Sequence, residues 1–211
     1  GMIFMDSISV ISPQKKKNMY LKKDQIPILI VNLLFLAILS ILFFLRKNYE
    51  FVVYIGVIIF FSIIIILTNK KVQYPNMVLW GLTLWALLHM SGGGVYIYGK
   101  KLYEIILIPL STTYAIFKYD QFVHIIGFGV STLLMHHLLK PYLKEKTGTV
   151  AIPIVIIMAG LGVGALNEII EFIVTVIVPE TGVGGYTNTS LDLVADLIGA
   201  IIAYIYVSIS K

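Results

Sequence analysis

The sequence predicts an all-α fold, a polytopic integral membrane bundle of about six transmembrane helices with one candidate re-entrant segment. Of the 211 residues, 58% are hydrophobic and 13% are charged, whereas a soluble domain carries about a quarter charged residues. Long apolar runs recur along the chain, and about 17 to 25 such residues cross a hydrocarbon core of about 30 Å. The chain has no cysteine, which excludes disulfides, thiolate catalysis and cysteine metal ligands.

The apolar runs divide the chain into two parts. Residues 1–25 form a polar, lysine-rich segment that we expect to be cytoplasmic, and residues 26–211 form the transmembrane domain. The predicted spans are 26–45, 51–68, 77–93, 119–139, 150–178 and 191–209. Since the first two spans contain no charged residue and no histidine, we expect them to serve as packing or anchoring helices.

A further apolar stretch, residues 102–117, is shorter than a typical span. It contains Glu104 and Pro109, and both residue types disfavour a regular helix in lipid. We therefore expect a re-entrant or interfacial segment there and not a seventh crossing.

Basic residues at the ends of the spans predict the orientation. With six spans, one side of the membrane carries Lys15, Lys16, Lys17, Lys22, Lys23, Lys70, Lys71, Lys140, Lys144, Lys146 and Lys211. The other side carries only Arg46, Lys47, Lys100, Lys101 and Lys118. Because cytoplasmic loops are enriched in Lys and Arg, we expect both termini in the cytoplasm and a location in the cytoplasmic membrane. This topology accounts for the net charge of +5, so the expected partners are membrane lipids and not nucleic acid.

Ionisable residues inside the last four spans are not scattered. Each costs about 2.5–3.5 kcal/mol at a helix centre on insertion scales, so each needs an explanation. Apart from His136 and His137 at the cytoplasmic end of the fourth span, the residues are His89 in the third span, Asp120 and His124 in the fourth, Glu168 and Glu171 in the fifth, and Asp192 and Asp196 in the sixth. Because alternate spans run in opposite directions, all of these positions fall at one depth, near the outer ends. The pattern predicts a single intramembrane site.

Spacing within the helices supports this prediction. Asp120 and His124, and likewise Asp192 and Asp196, are four residues apart, while Glu168 and Glu171 are three apart, so each pair shares a helix face. Five clustered carboxylates without an intramembrane Lys or Arg require either protonation or a bound cation. Carboxylates together with two histidines fit a divalent metal ion: oxygen ligands favour Mg²⁺, Mn²⁺ or Ca²⁺, and the histidines leave Zn²⁺ or a non-haem iron pair open.

All seven residues are therefore candidate metal ligands, and Glu168 and Glu171 are also candidate catalytic bases. A purely structural interpretation remains open for His89, Asp120 and Asp192. Asp192 follows Ser190, a natural N-cap, and Asp120 opens the fourth span, where a helix dipole favours an acid. In the fifth span, Gly160, Gly162 and Gly164 are expected to permit close helix packing.

The order of these motifs resembles a known family. The shared features are His89 with Gly92 and Gly93, Tyr119-Asp120 with His124, Glu168 and Glu171 before Phe172, and an acidic pair before Gly199-Ala200. From Trp80 to Ala200 the chain resembles the uncharacterised bacterial inner-membrane family typified by YjdF, and more distantly the VanZ-like membrane proteins. The acidic pair of the YjdF type would map onto Asn188 and Asp192, whereas the VanZ-like pattern would use Asp192 and Asp196. The first resemblance implies no reaction, and the second implies only an association with the cell surface and glycopeptide resistance.

Three functions fit the sequence. The first is a metal-dependent hydrolase or transferase whose outward-facing site acts on a lipid headgroup or a lipid-linked substrate. The second is a proton- or ion-coupled transporter in which the carboxylates titrate. The third is a non-catalytic structural, surface-resistance or immunity protein whose polar cluster only joins helices. Phosphoryl transfer by an arginine clamp is disfavoured, because Arg46 is the single arginine.

Overall fold

The computed structural model describes residues 20–143 and 150–210. Within these ranges the chain forms six long α-helices, which confirms the predicted all-α membrane bundle. They are α1 (Ile26–Leu45), α2 (Tyr49–Val72), α3 (Asn76–Gly94), α4 (Tyr119–Leu139), α5 (Ala151–Ile177) and α6 (Tyr186–Ile209). Most of the predicted polar segment 1–25 lies outside the described residues, as do the lysines at 15–17, 144, 146 and 211 that contribute to the orientation.

Two helices are longer than the apolar runs that predicted them. At the start of α2, the side chain of Asn48 accepts a hydrogen bond from the backbone N–H of Phe51, and Gln73 ends the helix in a left-handed conformation. At the other end of the chain, α6 begins at Tyr186, five residues before the predicted boundary, with Gly185 as its N-cap. Hydropathy detects only the apolar middle of each helix, whereas caps set its ends.

Helix α3 differs from the other helices in composition. Among the described residues, α1, α2, α4, α5 and α6 are long and apolar enough to cross a membrane by themselves. Helix α3 has 19 residues, but its polar residues and glycines make it less apolar. It packs against both α1 and α4, so protein covers part of its surface and a less apolar helix suffices.

The segment after α3 contains no membrane-crossing helix. A short hairpin pairs β1 (Tyr96–Ile97) with β2 (Lys100–Lys101), and a 3₁₀ turn follows at Leu102–Glu104. The rest of the segment forms a loop that returns to the start of α4, where the backbones of Ile106 and Lys118 pair in an isolated antiparallel bridge. No seventh crossing is therefore present in residues 102–117. Irregular backbone cannot face hydrocarbon, which favours an interfacial position for this loop over a re-entrant one.

Small residues bring α4, α5 and α6 close together. A Cβ atom at Gly199 of α6 would lie 3.0 Å from the backbone nitrogen of Gly129 in α4. In α5, a Cβ at Gly160 would lie 2.9 Å from Cβ of Thr132. Gly164 likewise faces α6, whereas the Cβ position of Gly162 faces open space. The packing role predicted for the α5 glycines therefore applies to two of the three, because only they point toward a neighbouring helix.

Candidate metal centre

One end of the bundle brings polar side chains from α4, α5 and α6 together. Helices α4 and α6 begin at this end and α5 finishes there, so the chemistry-bearing residues of these three helices meet at one level. Two groups of side chains have ligand atoms within 4.8 Å of one another. We call Asp120, His124 and Asp192 the rim group, and His124, Glu168 and Asp196 the inner group.

His124 belongs to both groups and lies between them. Its Nδ1 is 2.8 Å from Oδ1 of Asp196 and 3.9 Å from Oε1 of Glu168. Its Nε2 is 3.9 Å from Oδ1 of Asp120. Each ring nitrogen therefore faces a different carboxylate set, and the buried imidazole connects the two groups.

The inner group has unsatisfied acceptors. Its three side chains are buried, yet both carboxylate oxygens of Glu168 and Oδ2 of Asp196 accept no hydrogen bond. The side chains of Thr189 and Asn167 lie near Glu168 without forming a hydrogen bond of good geometry with it. Leaving such a group unpaired costs about 1–3 kcal/mol or more for a charged group. These three unpaired oxygens belong to a group whose ligand atoms lie within 4.8 Å of one another, which is compatible with a bound cation.

Gly164 makes the inner group possible. A Cβ at this position would lie 2.6 Å from Cγ of Asp196, closer than unbonded carbon atoms approach. The absence of a side chain on α5 lets the Asp196 carboxylate of α6 lie directly against the α5 backbone. The glycine that sequence analysis assigned to packing thus also shapes the candidate site.

The rim group is already hydrogen-bonded by amides. The buried Asp192 accepts from Nε2 of Gln121 at 2.6 Å and from Nδ2 of Asn188 at 2.5 Å. The same Asn188 nitrogen lies 3.0 Å from Oδ2 of Asp120. Because α6 begins at Tyr186, Asp192 lies in the second turn and faces the cluster, so the interpretation of Asp192 as a first-turn acid is wrong. Asp120 does lie in the first turn of α4.

Three residues at the site were not predicted from composition. Asn188 and Gln121 are neutral, so they give no signal of a buried charge, and Asn188 was noted only through the family pattern. Lys118 precedes α4; its Nζ contacts Oδ1 of Asn188 and is 3.8 Å from Oδ2 of Asp120. The rim therefore has a cationic neighbour that comes from just outside the predicted span 119–139.

His89, a predicted ligand, lies outside both groups. Its Nδ1 is 2.5 Å from the hydroxyl of Tyr103. Trp85 stacks on the ring at a centroid distance of 5.5 Å, and Tyr54 contacts it edge-on at 5.2 Å. Burial raises the pKa of Tyr103 well above its usual range, so its hydroxyl keeps its proton and can donate to His89. His89 is close enough to interact electrostatically with His124 but is held in an aromatic cage.

Glu171 also lies outside the two groups. It is buried one turn after Glu168, and its Oε1 accepts a hydrogen bond from Nδ2 of Asn167 at 2.9 Å. It lies within electrostatic range of both Glu168 and His124. The structure thus separates the two glutamates that sequence analysis treated alike: Glu168 faces the inner group, and Glu171 is held beside it.

Polar contacts of Glu50 hold the glycine-rich loop before α6 in place. The buried carboxylate of Glu50 accepts a hydrogen bond from the backbone N–H of Gly182 at 2.7 Å and lies 3.5 Å from Nζ of Lys101. This joins the start of α2, the hairpin after α3 and the loop before α6. Three elements that cover the site end of the bundle are therefore tied together.

Comparison with known families decides the membership of this chain. The chain belongs to the DUF2238 family of predicted membrane proteins. The match covers residues 27–211 and includes every residue of the rim and inner groups. Comparison with curated proteins finds no match, and comparison with solved structures finds none either. Membership supports an integral membrane protein, and any chemistry has to be inferred from the site itself. The resemblance to YjdF-type and VanZ-like proteins stays a prediction.

Proposed function

We propose that this protein is a metal-dependent integral membrane enzyme, a hydrolase or transferase acting on a lipid headgroup or a lipid-linked substrate. The observation that carries the proposal is the set of three buried carboxylate oxygens without hydrogen bonds, two on Glu168 and one on Asp196, beside His124. Clustered carboxylates repel one another in a medium of low dielectric constant, and a divalent cation relieves that repulsion. The inner group would hold one ion, and the rim group could hold a second.

The donor set narrows the choice of ion. Each group offers one imidazole nitrogen and carboxylate oxygens, and His89 is engaged by Tyr103. A donor set with one nitrogen among oxygens suits Mg²⁺ or Mn²⁺ better than Zn²⁺, which is more often bound by several histidines. We therefore favour an oxygen-preferring divalent ion.

A bound divalent ion would supply Lewis-acid polarisation of an ester or phosphoester oxygen. Around it, Glu171 is placed to accept a proton, because Asn167 orients its carboxylate one turn from Glu168. Lys118 at the rim would bind the negative charge of a headgroup. Asn188 bridges Asp120 and Asp192 and would keep the rim carboxylates in position.

The proposal includes an orientation. With the termini in the cytoplasm, as the distribution of Lys and Arg favours, the ends of α4 and α6 that carry the site would face the outside of the cytoplasmic membrane. The substrate would then be a lipid or lipid-linked molecule of the outer leaflet. Membrane lipids are therefore also the proposed partners, because a bundle of apolar helices lies in contact with them.

The test is metal content. Detergent-purified protein is analysed for bound elements, alone and after Glu168→Gln, with Glu180→Gln in the exposed loop as the matched control. We expect about one or two ions per chain, a loss of metal in Glu168→Gln and no change in Glu180→Gln. Protein that contains no metal, and whose thermal stability is unaffected by chelator, would contradict the proposal.

A further inference from the structure

A second feature lies deeper in the bundle, below the metal centre. It is an apolar cavity of about 370 Å³ between α2 and α5, backed by α3 and α4. Its lining includes Ile58, Leu82, Met135, Val163 and Ile170. The volume lies within the range of about 300–1,000 Å³ that is typical of ligand sites. Hydrocarbon, not water, is the medium that such a surface accepts.

The upper part of the cavity lies next to residues that adjoin the candidate metal centre. Asn167 lines the cavity and donates the hydrogen bond to Glu171. Trp85 lines it too, and the same indole stacks on His89. A molecule that occupies the cavity would therefore have one end near Glu171 and His89, the two residues that flank the rim and inner groups.

The far end of the cavity is lined by amides that already have partners. Gln25 donates to the backbone oxygen of Tyr74, and Asn69 donates to Oε1 of Gln25. Higher in the wall, the amide of Asn32 donates to Oγ1 of Thr83. Because these donors are satisfied within the protein, they offer little to a polar ligand, and the cavity favours an apolar one.

The dimensions fit a single chain. The α4 wall runs from Phe128 to Leu138, which is about 15 Å at 1.5 Å per residue. That is about half the thickness of a hydrocarbon core of about 30 Å. Phe61 of α2 and Leu166 of α5 line the cavity and are exposed, so a chain could enter sideways between these helices.

We propose that this cavity binds one hydrocarbon chain of a membrane lipid whose headgroup lies at the metal centre. Chain binding follows from the apolar wall and the lateral opening. Only the position of the headgroup rests on the proposed function. The site would thereby select amphiphiles with a polar end at the carboxylates and a chain directed away from them.

The two tryptophans of the chain allow a direct test. Trp80 is 44% exposed on the lipid-facing side of α3, whereas Trp85 lines the cavity. Trp80→Phe leaves Trp85 as the only indole. This variant is reconstituted in phosphatidylcholine vesicles, with or without bromine atoms at the middle of the acyl chains, and the Trp85 emission is compared. We expect brominated chains to remove most of it.

Filling the cavity should protect Trp85. Val163→Phe, added to Trp80→Phe, places a ring inside the cavity. Met158→Phe, at an exposed position of the same helix, is the matched control and should leave quenching unchanged. Ser62→Leu narrows the cavity from α2 and serves if Val163→Phe does not fold. Trp85 emission that brominated chains do not reduce, or reduce equally in the filled and control variants, would overturn the proposal.

Metal analysis of the same samples separates this inference from the proposed function. We expect Val163→Phe to keep its metal, because the side chain at this position lines the cavity, whereas no residue of the rim or inner group does. If the protein contains no metal but brominated chains still quench Trp85, and Val163→Phe abolishes that quenching, the enzyme proposal is contradicted and chain binding stands. If the protein contains metal but brominated chains do not quench Trp85, chain binding is contradicted and the enzyme proposal stands.

Discussion

Asp196 of α6 and His124 of α4 are joined across the helix interface, with Oδ1 of the carboxylate 2.8 Å from Nδ1 of the ring. The second oxygen of Asp196 is buried and has no partner. One carboxylate thus orients the imidazole and also leaves a second, unpaired oxygen within the inner group. Substitution of Asp196 therefore distinguishes a metal site from a cluster that only joins helices.

Asp196→Asn is expected to weaken metal binding. An amide keeps the shape of the side chain but removes the negative charge. Loss of a carboxylate that orients a metal-binding histidine typically costs about 10–100-fold in metal affinity. Metal titration of detergent-purified protein measures the effect, with Asp24→Asn at the opposite end of the bundle as control. If the cluster only joined helices, the amide oxygen of Asn would still accept a hydrogen bond from the His124 ring, so stability would change little and metal content would not respond.

Two glycines on α5 form a matched pair for a packing test. Gly164→Ala places a Cβ 2.6 Å from Cγ of Asp196, whereas the Cβ of Gly162→Ala meets nothing within 4 Å. We expect Gly164→Ala to destabilise the protein by about 1–3 kcal/mol through overpacking and to reduce metal content. Gly162→Ala should be neutral or stabilise by at most about 1 kcal/mol. Thermal unfolding in detergent measures both, and equal melting temperatures would show that Asp196 does not need the space at Gly164.

Helix positions and the level of the site could be predicted because both follow from one-dimensional signals. Apolar length gives the spans, and alternating direction brings Asp120, Glu168 and Asp192 to one end. What could not be predicted is rotation about each helix axis. In α4, the second ionisable residue one turn away fixes the inward face, but His89 in α3 has no such partner, and its side chain turns into the aromatic cage. Neutral Asn188 gave no signal in a span whose start was placed too late.

The orientation can be tested because the chain has no cysteine of its own. Glu180→Cys lies in the loop before α6, at the site end, and Lys71→Cys lies in the last turn of α2, at the opposite end; both positions are exposed. We expect a membrane-impermeant maleimide to label Glu180→Cys in intact cells and Lys71→Cys only after permeabilisation. The reverse pattern would place the metal centre on the cytoplasmic side, and the proposed outer-leaflet substrate would be wrong.

The last prediction separates the two histidines, which sequence analysis treated as equivalent ligands. His124→Gln removes the ring nitrogens that face the inner and rim groups, so metal should be lost from both. His89→Gln retains a side chain able to hydrogen-bond Tyr103, and His89 lies outside both groups, so metal content should be unchanged. Elemental analysis of the two purified variants, with thermal unfolding as the folding control, measures this difference. Loss of metal in a folded His89→Gln protein would mean that His89 leaves its aromatic cage to bind the ion, and the assignment of the ligands to α4, α5 and α6 alone would be wrong.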